Sequence, residues 1–85
     1  MNPYEIIFHP FVTEKTMMLM ENDNALQFAV SMTANKKQIK EAAEKMFDIK
    51  IIKISTRIGK KGKIAVVKLS PEHVAEDIGM RIGIF

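Results

Sequence analysis

The 85-residue sequence has no cysteine and no tryptophan, and only four glycines and three prolines. Without cysteine there is no disulfide framework, no thiolate zinc site and no cysteine nucleophile, which fits a cytoplasmic home. Long apolar runs are missing as well: stretches such as Ile6-Ile7-Phe8 and Met17-Met18-Leu19-Met20 fall far below the ~20 residues of a membrane helix. The first residues lack the basic stretch and apolar core of a signal peptide, so neither export nor a membrane partner is expected. Glycine is too scarce for phosphate cradles of the GxxxxGK[ST] or GxGxxG kind, and GxSxG does not occur. The two histidines, His9 and His73, make no HExxH or other close pair, so neither a metal nor another cofactor is expected. Carboxylate pairs such as Glu76-Asp77 sit where helix surfaces place them, and no catalytic site and no enzyme activity is expected.

What is present is 47% hydrophobic and 27% charged residues, the composition of a folded globular domain. The length suits one domain over residues 1–85 with a modest core. The net charge of +3 is unevenly placed. Residues 36–68 carry eleven Lys or Arg against three acids, whereas residues 1–35 carry one against four and residues 69–85 one against three. Eleven of the thirteen basic residues are Lys, a mobile point charge suited to phosphates, whereas the forked Arg reads guanine edges. A middle third of this kind reads as a polyanion surface that recognises backbone and shape.

Periodicity orders the elements. Tyr4 to Phe8 is apolar enough for a short strand ended by His9-Pro10. Thr13 reads as the N-cap of a helix with Val12, Thr16, Leu19 and Met20 on one side, its methionines filling the core or forming a sticky surface patch, and its end at residues 21–24. Leu26, Phe28 and Val30 alternate as a strand with one buried face. Asn35 and Gln38 resemble a capping box, and Ile39, Ala42, Ala43, Met46 and Phe47 repeat at helical spacing behind it. Lys37-Glu41, Lys40-Glu44 and Glu41-Lys45 are spaced for ion pairs, while Lys36 and Lys40 flank the apolar stripe. Residues 49–58 form a strand in which Ile51-Ile52 breaks the alternation and predicts a bulge or a change of buried face. A Gly59-Lys60-Lys61-Gly62-Lys63 turn leads into a last strand with Ala65, Val67 and Leu69 inward. Ser70-Pro71-Glu72 offers an N-cap and first turn for a closing helix with Val74, Ala75, Ile78 and Ile82 on one face. The order β-α-β-α-β-β-α predicts an α+β fold, a two-layer or three-layer sandwich with a mostly antiparallel four-stranded sheet and helices packed on it.

Two RNA-binding architectures are disfavoured. Gly59-Lys60-Lys61-Gly62 matches a bare GXXG, but a KH loop joins helices and this one joins strand patterns. An RRM stacks bases on aromatics of its central strands, and the only internal-strand aromatic, Phe28, shares a face with Leu26 and Val30.

Several motifs in order, His9-Pro10-Phe11-Val12-Thr13-Glu14-Lys15, Asn35 to Ala42, Phe47 to Ile51, Gly62 to Ser70 and Arg81 to Phe85, resemble the large-subunit ribosomal protein family L-twenty-three, with a hairpin and C-terminal helix similar to the archaeal branch. The resemblance implies a structural constituent of the ribosome that binds 23S-type rRNA and sits beside the exit of the nascent-peptide tunnel. Its implied partners are a neighbour of the L-twenty-nine family and exit-site factors such as the signal recognition particle. It carries RNA contacts onto His9, Thr13, Lys15, Asn35, Lys36, Lys40, Ser55 and Thr56 and onto the basic hairpin with Lys60, Lys61 and Lys63. Charge and position add Lys37, Lys53, Arg57 and Lys68. The chain departs from the family pattern in three places: Phe8 and Ile64 stand where basic residues are expected, and the stretch Ser31-Met32-Thr33 replaces a charged one. Phe8 and Met32 are expected in the core or against a protein neighbour. Thr13 and Asn35 are also helix caps. Two other functions remain open from residues alone, a small protein-interaction adaptor and a free nucleic-acid-binding regulator.

Overall fold

A computed structural model describes residues 2–60 and 62–83. Its elements run α1 (Pro3–Ile6), β1 (Ile7–Pro10), α2 (Glu14–Asp23), β2 (Ala25–Val30), α3 (Lys36–Phe47), β3 (Ile51–Gly59), β4 (Gly62–Leu69) and α4 (Ala75–Arg81). The expected β-α-β-α-β-β-α order is present, preceded by the single turn of α1. Residues 4–6 are helical, not strand: the Asn2 side chain accepts a hydrogen bond from Tyr4 N, and Pro3 takes the first turn, where its missing N–H costs nothing. The strand therefore starts at Ile7 and keeps Pro10, which an edge strand tolerates.

All pairings are antiparallel, in the order β1-β2-β4-β3. The register gives the sheet two distinct faces. On the first lie Leu26, Phe28 and Val30 of β2 with Ala65, Val67 and Leu69 of β4, all buried in one hydrophobic cluster. Helix α3 contributes Ile39, Ala42 and Ala43 to that cluster, and Phe47 stacks on Phe28 with ring centres 5.1 Å apart. On the second face the register lines up His9, Ala29, Ile64 and Arg57 in one row and Gln27, Val66 and Ser55 in the next. A third row holds Ala25, Lys68 and Lys53. This face is closed over β2, where Ala25 and Gln27 are buried, and opens toward the exposed side chains of β3.

Helix α2 is capped as expected: Thr13 Oγ1 accepts from Thr16 N, and Thr16 Oγ1 from Thr13 N. Of its methionines only Met20 reaches the core; Met17 and Met18 are exposed, since Thr16 and Met20 alone fill the buried stripe. Phe8 and Met32, two of the departures, are also exposed. The break at Ile51-Ile52 is the register shift against β4 between Ile51 and Lys53. Helix α4 starts later than expected, because residues 71–73 form a turn and Val74, its N-cap, is exposed. Its cap comes from elsewhere. Asn24, in the left-handed conformation that ends α2 (φ 53°), accepts from Ala75 N at 2.7 Å and donates to the His73 carbonyl at 2.9 Å.

Candidate nucleic-acid interface

Seven of the eleven cations of the middle third, Lys36, Lys37, Lys40, Lys53, Arg57, Lys60 and Lys68, lie around the edge strand β3, whereas Lys45 lines a separate groove with Pro3, Ile6 and Glu41. On one flank, Lys36, Lys37, Lys40 and Lys53 rim a groove of about 270 Å³ whose apolar lining is Ile51, Ile52 and Ile54. Lys36 and Lys40, which flank the apolar stripe of α3, thus stand beside the sheet. The capping box explains their aim: Asn35 Oδ1 accepts from Gln38 N at 2.8 Å and Gln38 Oε1 from Asn35 N at 3.0 Å, fixing the first turn of α3. On the other flank a groove of about 280 Å³ is lined by Lys53, Lys68, Ser55, Val66, Ala25 and Asp23. Lys53 belongs to both grooves, so the two join across the sheet edge. Further along β3 stand Arg57 and Lys60, both exposed, beside a third hollow at the hairpin tip.

Among the described residues Lys36, Lys37, Lys40, Lys53, Lys68, Arg57 and Lys60 form no ion pair, and the single one present joins His73 and Glu72 at 3.8 Å. The spacing-based pairs of α3 do not close. Glu44 instead accepts from Ile51 N at 3.0 Å, where the bulge leaves that amide facing the helix. Asp23 is the one acid lining the two grooves around Lys53, and no local pattern marks it, because the C-terminus of α2 brings it there.

The remaining candidates are placed differently. His9 is exposed in the Arg57 row of the second face, with its Nδ1 donating to the Pro10 carbonyl at 3.0 Å. Thr13 and Asn35 are occupied as caps. Lys15 is exposed in the first turn of α2 and lines none of these grooves. Thr56 turns to the first face, half-buried opposite Ala65. Lys63 also turns to the first face, and its ammonium donates to the Ala34 carbonyl at 2.6 Å, tying the hairpin to the loop before α3. Lys61, like Ile84 and Phe85, lies outside the described residues. Ile64 is half-buried on the second face, so that departure supplies apolar surface among the cations.

The arrangement offers positive charges along an edge strand, with Ser55 as a neutral hydrogen-bonding group between them. Among the described residues no group of three or more His, Cys, Asp or Glu is placed to hold a metal ion, and no helix is long and apolar enough to cross a membrane.

Comparison with known proteins gives a consistent result. The family described as Ribosomal protein L23 matches residues 5–76. Over 86 aligned positions the chain is 42% identical to the Large ribosomal subunit protein uL23 of Methanothermobacter thermautotrophicus, with 100% of both chains covered. It is 43% identical to the protein of the same name from Methanobrevibacter smithii, again over 100% of both. With that of Picrophilus torridus the identity is 42% over 81 positions, 95% of this chain and 99% of the relative.

Proposed function

The chain belongs to the ribosomal protein L23 family, and from that premise we propose that it holds 23S-type rRNA along β3, its lysines neutralising phosphates on both flanks of the strand. As a structural protein of the large ribosomal subunit it works in the cytoplasm with ribosomal RNA and other ribosomal proteins, and it is not an enzyme. The observation that carries the reading is the pair of grooves sharing Lys53, rimmed by five lysines and one acid. The sheet fixes the spacing of the charges, and phosphate contacts of this kind position a protein on RNA without reading its sequence.

The finer part of the proposal rests on family likeness: a seat beside the exit of the nascent-peptide tunnel, next to the L-twenty-nine protein, where the signal recognition particle docks. The chain has exposed apolar side chains for protein neighbours at Val12, Met17 and Met18, in and before α2.

The test is filter binding of a 23S-type rRNA fragment against a random duplex of equal length, followed by footprinting on the fragment. With about six phosphates engaged, affinity falls with a log-salt slope near −4 to −5, roughly a thousandfold between about 50 and 200 mM salt. A complex indifferent to salt refutes phosphate neutralisation along β3, and equal binding to both RNAs refutes selection of the folded 23S-type RNA.

A further inference from the structure

The hollow at the hairpin end of the second face has a chemistry that phosphate contacts alone leave unexplained. It measures about 250 Å³ and is lined by Phe11, Arg57, Gly59, Lys60, Gly62 and Ile64. Phe11 is anchored there by its backbone N–H, which donates to the Gln27 carbonyl at 2.9 Å. Above its ring, 5.8 Å from the centre, lies the Arg57 guanidinium carbon. Arg57 is itself held: its Nη2 donates to Gln27 Oε1 at 3.3 Å, and Gln27 is only 3% exposed. A planar cation is thus fixed over an aromatic ring by a buried amide. Among the described residues, a Cβ added at Gly59 or Gly62, which line the same hollow, would meet nothing within 4 Å.

The volume falls below the roughly 300 to 1,000 Å³ of pockets for drug-sized ligands, leaving room for one ring system. A lining of aromatic ring, guanidinium, ammonium and Ile64, with no acid, selects a ligand both flat and anionic. An isolated phosphate has no use for Phe11 and Ile64, and an apolar peptide none for Arg57 and Lys60. We propose that this hollow takes one unpaired RNA base, stacked on the Phe11–Arg57 pair, with its phosphate toward Lys60. The proposal rests on the rRNA-binding reading and specifies the form of RNA the hollow accepts. A base inside a duplex has both faces covered by its neighbours, so only a bulged, looped or single-stranded nucleotide fits. The strand aromatic that an RRM would use is closed off, because Phe28 is 0% exposed beneath Phe47. The platform comes instead from the loop after β1 and from the edge strand.

The protein has no tryptophan, so Phe11→Trp introduces a single fluorescent reporter. Oligoadenylate is expected to quench its emission, whereas the same strand annealed to its complement binds without quenching. In parallel, Phe11→Leu, which keeps apolar bulk but removes the ring, is expected to weaken oligoadenylate binding by roughly 5- to 150-fold. Duplex affinity, the log-salt slope and the melting temperature stay unchanged. Equal quenching by both forms, or equal affinities for Phe11→Leu and the native protein, overturns base stacking while rRNA binding stands. Failure of the native protein to bind an rRNA fragment at all overturns the underlying reading and this one with it.

Discussion

Lys63 and Lys53 are both lysines of the β3–β4 hairpin, yet the register turns them to opposite faces, and exchanging each for methionine separates a structural tie from the proposed phosphate contact. Lys63 Nζ donates to the Ala34 carbonyl at 2.6 Å in a half-buried setting. A hydrogen bond with one charged partner contributes about 1.5 to 3 kcal/mol. Methionine keeps most of the alkyl stem, so lost packing adds little. With about 2 kcal/mol lost, and about 4 to 8 °C per kcal/mol in a domain of this size, Tm of Lys63→Met falls by about 8 to 16 °C. Its log-salt slope for RNA binding stays that of the native protein.

Lys53 is exposed, and among the described residues no acid pairs with it. Lys53→Met therefore changes stability by less than about 0.5 kcal/mol. Removing one phosphate contact reduces the steepness of the salt dependence by about 0.7 to 0.9. Thermal melting followed by circular dichroism, with filter binding across a salt series, reads both quantities on the same samples. Should Lys63→Met melt like the native protein and flatten the slope, Lys63 is a phosphate ligand and the role assigned to it is wrong. Should Lys53→Met leave the slope intact, the junction of the two grooves does not hold RNA.

Asn24→Ala removes the remote cap of α4 and the bond to the His73 carbonyl and leaves alanine at φ 53°. The combined loss is about 3 kcal/mol in urea unfolding, of which Asn24→Gly recovers about 1 kcal/mol; indistinguishable Ala and Gly variants would remove the backbone part of the account. Gly62→Ala places a Cβ in open space but at φ +123°, so destabilisation of more than about 1 kcal/mol measures backbone strain alone. A neutral effect would show that the turn relaxes. Phe28→Leu breaks the ring stack with Phe47 at the centre of the core and is expected to lower Tm without changing the salt slope. A changed slope would mean that the first face also shapes the RNA site.

The parts of this fold written in local pattern were legible. The Asn35–Gln38 box and the apolar stripe behind it specify α3 within twelve residues, and Leu26, Phe28 and Val30 specify which face of β2 is inward. Even the bulge announced itself, as two adjacent isoleucines in a strand of period two. What escaped depends on partners far along the chain. The cap of α4 lies 51 residues from the amide it satisfies, so Ser70-Pro71-Glu72 offered a persuasive local alternative that the fold does not use. Gln27 looked like an outward residue of an alternating strand, but Phe11 and Arg57 close over it. The charge census marks a basic stretch of sequence, yet it has no means of separating Lys63, which the register turns inward, from Lys53 and Arg57, which it turns outward.

The choice of an edge strand as the centre of the basic surface has a physical logic of its own. A strand end of a sheet presents unpaired N–H and C=O groups that invite pairing with another chain, and charged side chains and bulges are the usual protection. β3 has both: the irregularity at Ile52 interrupts its pairing row, and Lys36, Lys37, Lys40 and Lys53 crowd its outer flank. Ile52 and Ile58 are exposed on the same strand, so without those ammonium groups the edge would be an apolar template for self-association. A polyanion laid along β3 neutralises the charge and covers the edge in the same event. Under the proposed function, the lysines that guard this edge are the same ones that rRNA would occupy, so protection of the strand and docking onto RNA would draw on a single set of side chains.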